Sequence, residues 1–285
     1  MQSLGKAVRD MTVRITILSE DKASFRCLGE FGLSMLIETD DYTLLMDTGM
    51  GETLIRNKKK LGVRFRQLSG VVLSHGHLDH TGGLGSLVDA APGIEIFHHP
   101  GVFERRFSTS RGDKRDISLP FNAEALRKKG ARLTQIVEPT WLTDTLVLSG
   151  PVPMHTDFET IERTLFVERN GDLVPDPFDD ELAVAVETPK GLIVALGCAH
   201  RGPVNTILHF QDLTGCDTIR AVVGGTHLTH ADATRIDRTL SAMAAFNPRR
   251  LACCHCTGRK GEAAFAGAFG ERFVHVSAGS QLIFS

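Results

Sequence analysis

The first half of the chain contains Ser74-His75-Gly76-His77-Leu78-Asp79-His80-Thr81-Gly82-Gly83, in which three imidazoles and one carboxylate occupy six consecutive positions. The segment directly follows the apolar run Val71-Val72-Leu73, which is typical of a buried strand, and its two glycines predict a turn into a helix. Imidazole nitrogen and carboxylate oxygen are the ligands that zinc and iron accept most readily. Because a rigid sheet fixes the loops at its strand ends, the segment predicts a metal site at the carboxyl end of a strand.

Strand and helix patterns extend from this segment in both directions. Period-two alternation predicts a strand in residues 11–20, and a later strand, 42–46, ends in Asp47-Thr48-Gly49. Further strands are predicted at 33–38, 71–73, 94–98, 132–137, 145–148, 164–168, 182–187, 192–196, 221–223, 250–254, 273–277 and 281–284, and helices at 51–60, 82–90, 122–126, 203–210 and 231–246.

No linker or low-complexity segment divides the 285 residues, so we predict a single domain, 1–285, built from two similar halves. Residues 101–130 break the regular pattern with polar, charged sequence and one short helix. We interpret them as an insertion that forms either a substrate wall or lid, or a solvated surface excursion.

Composition and charge exclude several classes of protein. The formal net charge of −2 creates no global field for nucleic acid or acidic membranes. No apolar run approaches the roughly 18 residues that span a bilayer, and Met1–Asp10 has no apolar core of a secretory signal. The six cysteines form no disulfide framework. We expect a cytoplasmic protein with a small-molecule substrate and no nucleic-acid or membrane partner; the oligomeric state, including a homodimer, stays open.

The pattern of a strand, then small residues, then a histidine recurs along the chain. It is found again at His200, at His227 and at His255. If the preceding strands belong to adjacent sheets, their ends can bring these distant histidines together at one site. The other histidines lack at least one part of the pattern. The sequence therefore predicts a single site assembled from several strand ends.

The motif His75-x-His77-x-Asp79-His80 resembles the signature of the metallo-β-lactamase superfamily, and the order of hairpin strands, Asp47-Thr48-Gly49 and motif is similar along nearly the whole chain. The resemblance implies an α/β (α+β) four-layer αβ/βα sandwich of two similar halves with metals between the sheet edges. Phe31-Gly32-Leu33-Ser34, Gly197-Cys198-Ala199-His200 and His255-Cys256-Thr257-Gly258 are similar to the branch labelled dihydropterin-ribofuranosylaminobenzene-phosphate synthase-like. Most bacterial-looking members of that branch are called metal-dependent hydrolases.

The resemblance also implies a ligand set for two metal ions, which we expect to be zinc, with manganese or iron as alternatives. Asp47 matches the buried acid that orients the histidines of the motif. Where the family has a bridging Asp, this chain has Cys198, so the bridge is a thiolate, or Asp180 or water replaces it. The six implied ligands are His75, His77 and His200 for the first ion, and Asp79, His80 and His255 for the second.

Our hypothesis for the activity is hydrolysis of an ester or phosphoester by a two-metal centre, with Asp79 also accepting a proton from water. His227 is a candidate substrate or proton-relay residue, with a structural role as the alternative. Arg106 and Arg201 are candidates for an anionic substrate group, and free backbone N–H groups follow Arg201 at a helix start. His155 is either a substrate-pocket residue, an extra ligand or a plain loop histidine.

Other functions remain open at this point. The branch label implies a transferase that joins a phosphorylated aminobenzene riboside to a pterin with loss of pyrophosphate. A non-hydrolytic metal-containing sensor or ligand-binding protein is a second alternative, and a redox di-iron protein is a third. A separate zinc knuckle at Cys253-x-x-Cys256 lacks the second cysteine pair that such a site requires.

Overall fold

The computed structural model describes residues 11–285, and within them two β-sheets pack face to face with helices on their outer surfaces. The prediction about Met1–Asp10 lies outside the described residues. The strands are β1 (Val13–Ser19), β2 (Ser34–Glu38), β3 (Thr43–Met46), β4 (Gly70–Val72), β5 (Glu95–His98), β6 (Arg106–Ser108), β7 (Arg115–Asp116), β8 (Arg132–Gln135), β9 (Thr140–Trp141), β10 (Leu146–Leu148), β11 (Leu165–Arg169), β12 (Asp172–Pro175), β13 (Val184–Thr188), β14 (Gly191–Leu196), β15 (Ile219–Gly225), β16 (Arg250–Cys254) and β17 (Gln281–Phe284). The helices are α1 (Leu54–Lys60), α2 (Leu78–Thr81), α3 (Leu84–Ala90), α4 (Ala123–Lys128), α5 (Pro203–Thr214), α6 (Ala233–Phe246) and α7 (Gly258–Phe269).

The two large sheets share one plan. The first has the order β17-β1-β2-β3-β4-β5-β8, antiparallel from β17 to β3 and parallel from β3 to β8. The second has the order β16-β15-β14-β13-β10-β9, parallel from β16 to β14 and antiparallel beyond. Both large sheets are therefore mixed, and each comes mainly from one half of the chain, with β17 from the C-terminal end joining the first sheet.

Alternation along the strands divides the apolar residues between three cores. In β4, Val72 packs between the two sheets while its neighbour Val71 packs beneath the helices of the first half. The helices of the second half cover the outer face of the other sheet, where Ile207 and Phe265 are buried. Each fully buried aliphatic side chain stabilises the fold by about 1.5–3 kcal/mol. The result is the four-layer αβ/βα sandwich of two similar halves, which confirms the fold predicted from the sequence.

Some local predictions differ from the structure. Residues 273–277 form no strand, and Phe273 makes an isolated bridge to Leu251 instead. The helix α7 and the short strands β6, β7, β9 and β12 were not predicted. Residues 101–130 are more ordered than a loop, because β6 and β7 pair into a small third sheet, β12-β11-β6-β7, with a hairpin from the second half.

Within residues 11–285, no helix combines the length and the apolar character that crossing a bilayer requires.

Candidate metal centre

The parallel strands of both sheets bring the predicted histidines to one edge of the sandwich. His75, His77 and His80 lie between β4 and the end of α2. His200 follows β14, and His255 follows β16. The ring centroids of His75 and His200 are 4.8 Å apart, and those of His80 and His255 are 5.1 Å apart, so histidines distant in sequence meet.

The first donor group consists of His75, His77 and His200, whose candidate ligand atoms all lie within 4.8 Å of one another. His75 Nε2 is 3.3 Å from His200 Nε2, and the His200 ring stacks on Phe178 at 3.8 Å. Burial lowers the pKa of His77 to about 3 and holds the pKa values of the other two well below their usual range. Three neutral imidazoles therefore converge here.

A metal ion fits this first group. His77 Nε2 is buried and, among residues 11–285, has no hydrogen-bond partner. Ser74 Oγ donates to Asp47 Oδ2 at 2.6 Å, so it accepts from His75 Nδ1 at 2.9 Å, which leaves a lone pair on His75 Nε2. Because unpaired buried nitrogens are costly, converging lone pairs are best satisfied by a cation.

The second donor group consists of Asp79, His80 and His255, again within 4.8 Å of one another. Asp79 Oδ2 lies 3.3 Å from His255 Nε2 and 3.6 Å from His80 Nε2. Burial alone would raise the pKa of Asp79, but the neighbouring His80 and His255 lower it. The carboxylate therefore stays ionised beside two imidazoles.

Cys198 lies between the two groups. Its Sγ is 3.2 Å from His80 Nε2, and it forms candidate ligand sets both with His75 and His80 and with His200 and His227. The thiol thus occupies the place where a bridging acid was expected. Asp180, the alternative, belongs to none of the candidate ligand sets found among the described residues.

Asp47 holds the histidine loop from behind. It is fully buried, accepts from His80 Nδ1 at 2.7 Å and also accepts from the backbone N–H of Ser74 at 2.7 Å. Its φ of 61° lies in the left-handed region, which Asp tolerates better than most residues. Hydrogen bonds of this kind fix the tautomer and orientation of a ligand imidazole.

Three acids that support the ligands were missed by sequence reasoning. Asp21 accepts from His255 Nδ1 at 2.8 Å, and Glu20 accepts from the backbone N–H of His255 at 3.0 Å. A signal for them exists, because the pair directly follows β1 just as Asp47 directly follows β3. In the second half, Glu181 accepts from the backbone N–H groups of His200 and Arg201.

Arg106 does not lie where its predicted role requires. It is 1% exposed, and its guanidinium donates to Asp176 Oδ2 at 2.8 Å and forms an ion pair with Asp180 Oδ1 at 2.8 Å. Asp180 also accepts from the backbone N–H of Gly76 at 2.8 Å. The expectation that Arg106 binds an anionic substrate is therefore corrected, because two buried carboxylates already pair with the guanidinium beneath the histidine loop.

The start of α5 is likewise already occupied. Arg201 donates to the backbone carbonyls of Val152 and Pro177. The buried carboxylate of Glu159 accepts from the backbone N–H groups of Val204 and Asn205, so these groups are not free for a substrate anion. This corrects the expectation that Arg201 and the helix start bind a substrate anion.

His155 is exposed and belongs to none of the candidate ligand sets within residues 11–285. Its backbone N–H donates to Asn205 Oδ1 at 2.8 Å. His155 is therefore placed as a loop residue, and the alternative of an extra ligand has no support in its position.

His227 lies at the rim of the first group, with its ring centroid 4.1 Å from that of His200. Its Nε2 is 3.0 Å from Glu162 Oε2, and its backbone φ is 48°. Although burial alone would lower it, the neighbouring Cys256 sulfur and the hydrogen-bonded Glu162 carboxylate raise the pKa of His227 to about 9. A protonated imidazole therefore borders the candidate metal centre.

The buried carboxyl of Glu159, at the start of α5, should make the free energy of unfolding depend on pH. Burial raises the pKa of Glu159 from 4.5 to about 7, so its contribution to stability is complete below pH 4.5 and is lost as the pH rises through 7. Glu159→Gln removes this loss. Between pH 4.5 and pH 7, we expect the free energy of unfolding of the variant to rise relative to that of the unchanged protein. The difference should grow by at most about 1.4 kcal/mol per pH unit.

Urea unfolding at several pH values measures this difference. Glu124→Gln is the matched control, because the Glu124 side chain is 73% exposed and should give a curve parallel to that of the unchanged protein. If the curve of stability against pH for Glu159→Gln were also parallel to that of the unchanged protein, the prediction would be contradicted.

Comparison with known proteins places this geometry in a family. The family model of the Metallo-beta-lactamase superfamily matches residues 28–255 of this chain. The chain is 31% identical over 284 residues to the 7,8-dihydropterin-6-methyl-4-(beta-D-ribofuranosyl)-aminobenzene-5'-phosphate synthase of Methanocaldococcus jannaschii, which covers 95% of this chain and 97% of the relative.

Solved structures agree with the sequence comparison. A metal-dependent hydrolase of the beta-lactamase superfamily superposes with a TM-score of 0.83 at 28% identity, covering 95% of this chain and 98% of that one. The metallo-beta-lactamase fold protein YhfI from Bacillus subtilis has a TM-score of 0.60 at 13% identity, covering 96% of this chain and 99% of that one. The second likeness concerns the fold alone.

Proposed function

This chain belongs to the metallo-β-lactamase superfamily, and from that premise we propose that it is a metal-dependent hydrolase that cleaves an ester or phosphoester bond of a small anionic molecule at a two-metal centre. The observation that carries the proposal is the pair of adjacent donor groups, His75, His77 and His200 beside Asp79, His80 and His255. We propose zinc as the metal, with manganese or iron as alternatives. The formal net charge of −2 supports a small-molecule substrate over a nucleic acid.

The side chains around the centre have distinct roles in this proposal. Metal ions held by the two groups would lower the pKa of water and polarise a carbonyl or phosphoryl oxygen. Asp79 carries a second function as the acceptor of the proton that the attacking water loses. His227, held in its charged form by Glu162, donates a proton to the departing oxygen.

An exposed aromatic ring borders the second group and suits a planar substrate. The Phe31 side chain is 64% exposed, and its ring centroid is 5.3 Å from that of His255. Leu33 donates from its backbone N–H to the carbonyl of Asp79 at 3.2 Å, which fixes the Phe31 loop against the metal-binding loop. Aromatic faces bind planar rings, and the pterin and phosphate in the name of the archaeal relative support a substrate with a ring and an anionic group.

A synthase of the kind named for the M. jannaschii relative is the second candidate, favoured by the 31% identity over nearly both chains. In such a transferase, pyrophosphate leaves as a pterin is joined to an aminobenzene riboside. Thermal stabilisation by a pterin pyrophosphate, with release of pyrophosphate on adding the riboside, would favour the synthase. Turnover of simple esters or phosphodiesters would favour the hydrolase, and neither result would favour a non-hydrolytic ligand-binding protein.

Elemental analysis of freshly purified protein tests the central claim. We expect about two equivalents of transition metal, as in two-metal hydrolases, and a loss of about one equivalent in His200→Ala. The control is His155→Ala, whose exposed ring lies outside both donor groups and whose metal content should not change. Less than about one equivalent in the unchanged protein, unaltered by His75→Ala, would refute a two-metal centre.

A further inference from the structure

Two cysteines from non-adjacent strands meet above a glycine at the edge of the second sheet. Cys198 follows β14 and Cys256 follows β16, and both strands flank β15. The ends of β14 and β16 are therefore separated by two strand spacings, roughly 9–10 Å. Even so, Cys198, His255 and Cys256 form a candidate ligand set whose donor atoms all lie within 4.8 Å of one another.

Gly225 at the end of β15 makes this approach possible. A Cβ atom at Gly225 would lie 2.5 Å from Cys256 Sγ and 3.1 Å from Cys198 Cα. Any other residue would therefore displace the sulfur. The missing side chain creates a space above β15, and the Cys256 side chain fills it from one side.

Two backbone groups face the Cys256 sulfur. The backbone N–H of His227 donates to Cys256 Sγ at 3.3 Å, and the thiol donates to the backbone carbonyl of Cys198 at 3.4 Å, so ligation requires the loss of that proton. His255, the neighbouring residue, belongs to the second donor group. Backbone N–H groups commonly donate to ligated sulfur and tune it. The adjacent Cys253 and Cys254 differ, because they lie inside β16 and are buried in two separate apolar cores.

We propose that Cys256 is a terminal thiolate ligand at the Asp79–His80–His255 position and that Cys198 bridges this position to the three-histidine group. The inference rests on the proposed two-metal centre and deepens it. The second position then has more protein donors than the first, which has three histidines and the bridge. In zinc proteins a site with fewer protein ligands keeps more room for water, so the first position is the one expected to bind it.

A sulfur-containing position also restricts the choice of metal. Thiolate ligands favour zinc, cobalt and iron, whereas manganese and magnesium prefer oxygen donors. Cys256→Ser should therefore weaken zinc binding by about tenfold or more and weaken manganese binding less.

Cobalt substitution tests the proposal with a readout other than activity. Protein stripped with a chelator and reloaded with Co²⁺ should show a thiolate-to-cobalt charge-transfer band in the near ultraviolet. Cys256→Ser and Cys198→Ser should each reduce this band. Cys216→Ser, which replaces a partly exposed cysteine outside the candidate ligand sets of residues 11–285, should leave it unchanged.

The outcomes separate this inference from the function on which it rests. Two bound Co²⁺ ions without a thiolate band would overturn the sulfur ligation and leave the two-metal centre standing. Failure to bind Co²⁺ at all would overturn both. A band that persists unchanged in Cys256→Ser, in a variant whose far-ultraviolet circular dichroism matches the unchanged protein, would remove Cys256 from the ligand set. Cys256→Ala serves as a second variant should the serine disturb the fold.

Discussion

Asp79→Asn is expected to lower kcat/KM for hydrolysis by about 10²- to 10³-fold, since charge stabilisation of this kind contributes several kcal/mol to the transition state. Asp79 is the one carboxylate in the candidate ligand sets of residues 11–285. We therefore propose it as the carboxylate donor to the second ion and as the acceptor of the water proton. An asparagine keeps the size of the side chain but has neither the charge nor the basicity.

The measurement is kcat/KM on the best ester or phosphoester substrate, together with metal content. Asp41→Asn is the control, because Asp41 is an exposed loop carboxylate that accepts from Thr39. Both variants should unfold at similar denaturant concentrations. Retention of more than about a tenth of the activity by Asp79→Asn would contradict both roles assigned to this carboxylate.

Arg106→Ala is expected to lower the free energy of unfolding by about 3–5 kcal/mol, because it leaves two buried carboxylates without their counter-charge. The guanidinium also closes the space under the histidine loop, where a Cβ at Gly76 would lie 2.5 Å from Arg106 Nη1. Burial raises the pKa of Asp180 to about 6 even though Arg106 opposes this shift. Without the arginine, Asp180 would bind its proton more tightly, so the loss of stability should grow as the pH rises through 6.

Urea unfolding of Arg106→Ala and of Arg105→Ala separates the effect of losing a buried ion pair from the effect of losing an exposed positive charge. Arg105 is the adjacent residue and also pairs with two carboxylates, but its side chain is 58% exposed, so its removal should change stability little. An unchanged unfolding midpoint for Arg106→Ala, combined with a higher KM for an anionic substrate, would return Arg106 to the substrate-binding role.

The sequence predicts the main strands and the metal-binding edge for a physical reason. Residues such as Val71, Val72 and Leu73 encode a buried strand locally, and the motif that follows carries its chemistry within six positions. The helix α7 was missed because glycines at 258, 261 and 267 lower its intrinsic helix propensity. Packing of Phe265 and Phe269 against the second sheet outweighs this propensity.

The supporting polar residues could not be predicted in the same way. Arg106 finds Asp176 70 residues later in the chain, and His255 finds Asp21 234 residues earlier. Such pairs depend on how the two sheets dock, which no local pattern encodes. Residues 101–130 are polar and charged in sequence, which is typical of a solvated loop. Arg106 is nevertheless buried, because β6 pairs with β11.

The proposed donors of each ion are divided between the two halves of the sandwich. His75, His77, Asp79 and His80 follow β4 in the first sheet, whereas His200 and His255 follow strands of the second. In the proposed centre, the donors of the first half cannot complete the first ligand set before His200, after β14, is in place, nor the second before His255, after β16. Each ion bound there would link the two halves, and its binding free energy would add to the stability of the contact between them.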